Sequence, residues 1–145
     1  MVTSDTPVQR VAVVGARGIG KHHAKWWALE GADVCAVVGT SEASVNETRG
    51  LLEALFDFRG RTYTDLDHML REETPDVVDV CAPAAEHYGC VKAALEDGRH
   101  VLCEKPFLYN HDRSPALLLN RAASLVALAE ERNLRLGVCT QYSTG

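Results

Sequence analysis

Six short runs, most of them rich in valine and other β-favouring residues, alternate along the chain with five longer segments whose apolar residues recur at helical spacing. No other feature constrains the fold as strongly. The runs are RVAVVG (10–15), DVCAVVG (33–39), RTYT (61–64), DVVDVCAP (76–83), HVLCEKP (100–106) and LRLGVCTQ (134–141). Most are nearly continuous apolar stretches rather than polar and apolar alternations, as strands covered on both faces require. Strands separated by helices pair in parallel, because a parallel connection has to cross back over the sheet, and the helices then cover both faces.

Each intervening segment predicts one buried helix face: Ile19, His23, Trp26 and Trp27; Val45, Leu52, Leu55 and Phe56; Leu66, Met69 and Leu70; Tyr88, Val91 and Leu95; Leu118, Ala122, Leu125, Val126 and Ala129. The punctuation agrees. Ser114-Pro115 reads as an N-cap with proline at the first helical position, and Thr64 or Asp65 caps the third helix. Gly31 and Gly98 stand where helices should stop. Six strands and five helices make a doubly wound (Rossmann) α/β domain, a six-stranded parallel sheet of order 3-2-1-4-5-6 with helices on both faces. It is expected over residues 10–145, behind a flexible tail at 1–9.

The stretch VVGARGIGKHHAKWW (13–27) follows the first strand and opens the first helix. Gly15 and Gly20 take the first and third places of the fingerprint Gly-x-Gly-x-x-Gly. Gly15 permits the tight turn, Gly20 lets helix and strand pack closely, and the helix N-terminus offers N–H groups to a pyrophosphate. Arg17 occupies the middle place, with Gly18 beside it to lend flexibility. The end of the second strand, where an NAD site places Asp or Glu on the ribose 2′-hydroxyl, reads Gly39-Thr40-Ser41. A carboxylate would repel a 2′-phosphate, whereas hydroxyls can donate to it and an arginine can neutralise it. Gly15, Arg17, Gly18, Ile19, Gly20, Gly39, Thr40 and Ser41 are therefore expected to bind a nicotinamide dinucleotide, NADP(H) in preference to NAD(H). Two alternatives stay open: a structural loop without nucleotide, and an Arg17 that serves the shared pyrophosphate.

Composition removes several other functions. The net charge is −5 with no long run of one sign, which lacks the clustered Lys and Arg of a nucleic-acid surface. No stretch approaches the roughly 20 apolar residues of a membrane span. The first ten residues, MVTSDTPVQR, lack the basic and apolar regions of a secretory signal, so a cytoplasmic protein is expected. The five cysteines fall without zinc or Cys-x-x-Cys spacing and read as buried reduced thiols. Glu86, His87 and Cys90 match no metal-ligand spacing, and no metal is expected.

Three motifs in order, the glycine loop with His23 after it, Pro83-x-x-x-His87, and Glu104-Lys105-Pro106 in HVLCEKPF, make the chain resemble the Gfo/Idh/MocA family of NAD(P)-dependent oxidoreductases over essentially its whole length. The resemblance implies a hydride transfer between the cofactor and a sugar, polyol or related hydroxyl, carbonyl or imine substrate. It implies that Lys105 is catalytic and touches both the reacting oxygen and the cofactor. It further implies that Glu104 and Pro106 shape that turn, and that Ala82, Pro83 and His87 line the nicotinamide side of the cleft. The position of Lys105 at a strand's carboxyl end, where doubly wound folds bind ligands, supports its role independently. His23 is expected to face inward as a satisfied core histidine, with Trp26 and Trp27 as packing and surface residues.

Three positions depart from the family pattern: Arg17 for glycine, Gly39 for the acid, and Ala84 where many relatives have Asn. Family enzymes continue into a second domain that supplies the substrate pocket and usually the oligomer interface, and none of it is expected within these 145 residues. The chain is expected to be either a truncated enzyme or one completed by a separate chain, and its expected partners are a second copy in a homo-oligomer or that separate partner chain. The competing expectation is a stand-alone NADP-binding regulatory or redox-sensing module, for which Lys105 would be dispensable.

Overall fold

The computed structural model describes residues 7–139, so the first six residues of the tail expected at 1–9 and the last residues of the sixth run lie outside the described residues. The chain runs β1 (Arg10–Val14), α1 (Ile19–Leu29), β2 (Asp33–Val38), α2 (Glu42–Leu55), β3 (Arg61–Tyr63), α3 (Leu66–Glu73), β4 (Val77–Val80), a 3₁₀ turn (Ala84–Glu86), α4 (His87–Glu96), β5 (His100–Cys103), α5 (Pro115–Glu131) and β6 (Leu136–Val138). The strands form one sheet in the order β3-β2-β1-β4-β5-β6, and every pairing is parallel. This is the doubly wound order expected from the sequence.

Side chains alternate across a strand, and β1 divides its residues accordingly. Val11 and Val13 enter one core layer with Ala24, Val37, Leu52 and Phe58. Ala12 and Val14 enter the other with Met69, Val91, Leu95 and Leu125. In β2 the register slips between the pairs Val11 with Val34 and Ala12 with Ala36. Cys35 and Ala36 consequently share one core layer, as an extra residue in a strand requires.

The strands stop earlier than their apolar runs. Cys81 N–H donates to the Val14 carbonyl at 2.8 Å and Glu104 N–H to that of Val80 at 2.8 Å. After these last sheet bonds the chain leaves the ladder, so Ala82-Pro83 and Lys105-Pro106 become loop. Both prolines lack the N–H that would continue the pairing.

Helix punctuation follows the sequence closely. Ser114 Oγ accepts from Leu117 N–H at 3.1 Å with Pro115 beginning α5, and Asp65 rather than Thr64 caps α3. Gly31 and Gly98 take left-handed φ values of 92° and 82° at the ends of α1 and α4. Three face assignments need correction. The buried stripe of α1 is Gly20, His23 and Ala24, with Trp27 beside it, while Trp26 turns to solvent at 55% exposure. Val126 is likewise exposed on α5, and Phe56 lies just past the end of α2 in extended backbone.

Near the amino ends of β1 and β3, Glu73 at the end of α3 is buried yet fully partnered. It accepts from the Tyr63 hydroxyl, pairs with Arg10 Nη2 at 2.9 Å and lies 3.2 Å from Arg61 Nε. Burial, and then the neighbouring carboxylate, push the Tyr63 phenol up to about 12. Glu73→Ala leaves a buried phenol without its acceptor, and urea denaturation should show a loss of about 3 kcal/mol, the arginines being exposed enough to hydrate.

All five cysteines are unpaired thiols. Burial lifts Cys35 and Cys90 to about 11 and Cys103 to about 12, and raises Cys81 and Cys139 as well. An unfolded chain releases these protons near the ordinary thiol value while the folded chain keeps them. The folded state therefore binds more protons above pH 9, and stability falls as pH rises from there. Urea midpoints at pH 7.5 and 10.5 should show that fall, and a flat profile would contradict it.

Candidate functional site

The carboxyl ends of β1, β2 and β4 open onto a crevice, the place where a doubly wound sheet binds ligands. Gly15 turns the chain out of β1 at φ 83°, with its N–H on the Val38 carbonyl at 2.9 Å. A Cβ on Gly15 would sit 2.8 Å from the Ala82 backbone, and one on Gly20 would sit 2.3 Å from the Gly15 carbonyl oxygen. Neither position admits a side chain, so both fingerprint glycines are steric requirements. Helix α1 begins at Ile19 with Gly18 as N-cap, no capping side chain and no acid in its first turn. Its opening N–H groups remain available to an anion.

The crevice has two lobes. One is lined by Gly15, Ala16, Arg17, Gly18, Gly39, Thr40, Ser44, Thr48, Cys81, Ala82 and Pro83. The other shares Gly15, Gly39, Thr40, Ala82 and Pro83 and adds Val14, Val38, Thr64, Leu66, Glu86 and Cys90. Seven residues expected from the sequence thus meet in one place. Ser44, Thr48, Thr64 and Leu66 join them from α2, the end of β3 and α3. The sequence marks Thr64 and Leu66 only as a helix cap and a buried helix face, and Ser44 and Thr48 carry no signal beyond their hydroxyls.

Arg17 projects toward α2, where its Nη2 lies 3.3 Å from Glu47 Oε1, and both side chains are more than half exposed. So exposed a pair contributes little and exchanges readily. Gly39 has a packing cause of its own: a Cβ there would come within 2.5 Å of Val45 Cγ1. The first turn of α2 therefore disfavours any side chain at the end of β2, an acid included. Ser41 caps that helix, its Oγ accepting from Ser44 N–H at 3.1 Å.

Two strands over from β1, the Glu104-Lys105-Pro106 turn follows β5, with the Lys105-Pro106 peptide cis. Lys105 is exposed and has no ion pair among the described residues, while Glu104 is buried. His87 requires correction. Instead of lining the cleft it is 1% exposed, with Nε2 2.7 Å from the Ala82 carbonyl and Nδ1 3.0 and 2.9 Å from those of Pro106 and Phe107. It holds the two loops together from behind. The same contacts remove His87 from any cluster with Glu86 and Cys90.

His23 faces inward as expected and lies between two acids. Its Nδ1 lies 2.8 Å from Asp79 Oδ2 and its Nε2 2.8 Å from Glu104 Oε2. Trp27 Nε1–H donates to Asp79 Oδ2 at 2.8 Å. Donor atoms of His23, Glu104 and Cys139, and of His23, Asp79 and Cys81, gather within 4.8 Å of one another. Both imidazole nitrogens already lie 2.8 Å from a carboxylate oxygen, a distance that suits a shared proton. A proton suits this ring better than a metal ion does.

Comparison with known proteins agrees with this geometry. Residues 9–140 match the family model GFO_IDH_MocA, described as an oxidoreductase family with an NAD-binding Rossmann fold. D-glucoside 3-dehydrogenase of Escherichia coli is 34% identical over 98 residues, 67% of this chain and 27% of that protein. Inositol 2-dehydrogenase of Rhodococcus erythropolis is 32% identical over 122 residues, 83% of this chain and 34% of that protein. The crystal structure of GenD2 from gentamicin A biosynthesis, in complex with NAD, superposes with a TM-score of 0.76 at 28% identity, over 94% of this chain and 35% of that one. The chain spans only 19% to 36% of the length of the first curated relatives it matches.

Restoring an acid at the end of β2 tests the steric account. Gly39→Asp should destabilise the protein by about 1–3 kcal/mol in thermal or urea denaturation, and Val45→Ala in the same chain should recover most of that loss. Equal stability of Gly39→Asp and the parent would refute the clash.

Proposed function

Since the chain belongs to the Gfo/Idh/MocA family of oxidoreductases, we propose that it forms the cofactor-binding part of an enzyme that moves hydride between NADP(H) and the hydroxyl or carbonyl carbon of a sugar or polyol. One observation carries this most: the uncapped α1 N-terminus beside Gly15 and the exposed Lys105 stand on the same edge of the sheet, at the ends of β1 and β5 with only β4 between them. The crevice fits a dinucleotide, because it has a turn too tight for a Cβ, open N–H groups for a pyrophosphate, and a lobe lined by Val38, Leu66 and Pro83 for an adenine. Gly15, Gly18, Ile19, Gly20, Gly39, Thr40, Ser41, Ala82 and Pro83 hold it, with Glu104 shaping the turn beyond.

When bound, the cofactor would supply or accept the hydride through its nicotinamide. Lys105 handles the accompanying proton, donating to the substrate oxygen as a carbonyl is reduced and relaying the hydroxyl proton away as an alcohol is oxidised. His87 fixes the Pro106 and Phe107 carbonyls against Ala82 and so holds the floor on which Lys105 stands. Arg17, held only by its exposed contact with Glu47, would be the cation to meet a 2′-phosphate, and Thr40 and Ser41 would offer it hydroxyl donors. Substrate recognition belongs to a second domain or partner chain. No helix among the described residues is long and apolar enough to cross a membrane, and we place the protein in the cytoplasm. The alternative of a stand-alone sensing module has no separate support in the cleft.

Fluorescence titration with NADPH and NADH tests the assignment. NADPH should bind more tightly, and Arg17→Gly should weaken NADPH about tenfold or more while leaving NADH within about threefold. Equal or tighter binding of NADH would overturn the 2′-phosphate assignment, and binding of neither would overturn the function itself. An equal loss for both cofactors in Arg17→Gly would assign Arg17 to the pyrophosphate.

A further inference from the structure

Directly behind the Glu104-Lys105-Pro106 turn lies a buried charge cluster that dinucleotide binding alone does not require. Asp79 is fully buried in the middle of β4, in register with Val13 of β1 and Leu102 of β5. An ionised carboxylate there is costly unless it is paired and hydrogen-bonded. Its Oδ2 takes the Trp27 indole N–H and faces His23 Nδ1, and its Oδ1 is 3.4 Å from Cys81 Sγ. Glu104 Oε2 lies 2.8 Å from His23 Nε2 and has no hydrogen-bond partner among the described residues. His23 is the only basic side chain within ion-pairing distance of either acid among the described residues. The other ionisable groups around the ring are Cys81 after β4, Cys139 after β6 and Glu30 just past α1, none of them cationic.

A neutral imidazole carries a single N–H and would turn a lone pair toward one of the two carboxylates, whereas an imidazolium serves both. We propose that His23 is a positioning residue: as an imidazolium it ties Asp79, fixed in the sheet, to Glu104, and thereby sets where the turn presents Lys105 to the cleft. This rests on the dinucleotide and Lys105 assignment above. The hydrogen bond to Asp79 and the charges of Asp79 and Glu104 outweigh burial and hold His23 above its ordinary value. The tie is therefore complete below pH 6.5 and is lost as pH rises through the raised value. Because His23 lies one turn into α1 from Ile19, the helix that opens at the pyrophosphate site also braces the turn bearing the proton-transfer group.

Long-range proton–nitrogen spectra of the histidine rings in the whole chain, recorded without cofactor from pH 6 to 9, read the proton directly. NADH titrations over the same range read its consequence. His23 should show both ring nitrogens protonated at pH 7, and the NADH dissociation constant should rise about fivefold across the same midpoint. His23→Gln should abolish that step and weaken NADH about fivefold at pH 7, and adding Glu104→Gln should restore affinity to within about twofold, because two neutral amides can bond each other. A neutral ring at pH 7, a pH step that survives His23→Gln, or a double variant no better than the single one would overturn the proposal. If His23→Gln does not fold, Glu104→Gln alone decides, since it must lower the His23 midpoint; an unchanged midpoint would overturn the proposal. A parent protein that binds no NADH at any pH would instead overturn the dinucleotide assignment, because the state of the ring is measured without it.

Discussion

Three backbones meet at the end of β1 with no room for a side chain between them, and the rest of the structure depends on that approach. Gly20 sits against the Gly15 carbonyl, and Gly15 sits against Ala82. Close packing of this kind fixes how α1 leaves the sheet. It therefore fixes where the open end of α1 points and which of its residues lie over β4. His23 and Trp27 reach Asp79 only because α1 is drawn down so closely. The glycines thus place the anion-binding end of the helix and the brace behind Lys105 together.

The sheet separates stability from chemistry along its strands. Away from the crevice, the Glu73 carboxylate gathers Arg10 and Arg61 from the starts of β1 and β3 and the Tyr63 hydroxyl from the end of β3, and so ties α3 to both strands. At the carboxyl ends, the crevice is lined by backbone, hydroxyls and small residues, with exposed charge at Arg17 and Lys105. Between the two, Asp79 and His23 place a charge pair in the interior. Buried ion pairs are expensive to form and are weak evidence for stability in themselves. One next to a loop of functional importance is better understood as setting geometry, which is the role proposed for His23.

The fold was legible because its determinants are local. Valine-rich runs, capping residues Ser114 and Asp65, and stop glycines Gly31 and Gly98 each act within a few residues of themselves. The glycine loop was legible for the same reason. What escaped depended on contacts distant in sequence. His87 shares a motif with Pro83, yet only the returning Pro106 and Phe107 carbonyls show that it is buried. Gly39 invites an explanation by cofactor charge, and the Val45 side chain adds a steric one. Asp79 sits unmarked inside an apolar run, and it gains meaning only when α1 brings His23 onto it. Trp26 and Trp27 are neighbours in sequence, and a single helical step leaves one exposed and the other half-buried against the core.

The central claim is that a nicotinamide dinucleotide lies across the carboxyl ends of β1, β2 and β4. Backbone amide spectra of the labelled protein, recorded as NADPH is added, test it most directly. The account predicts that the largest shifts fall on Gly15 to Gly20, on Gly39 and Thr40, and on Ala82. Silence of the glycine loop, with shifts confined to the groove of Asp67, Arg71, Glu96 and Asp97 between α3 and α4, would contradict it.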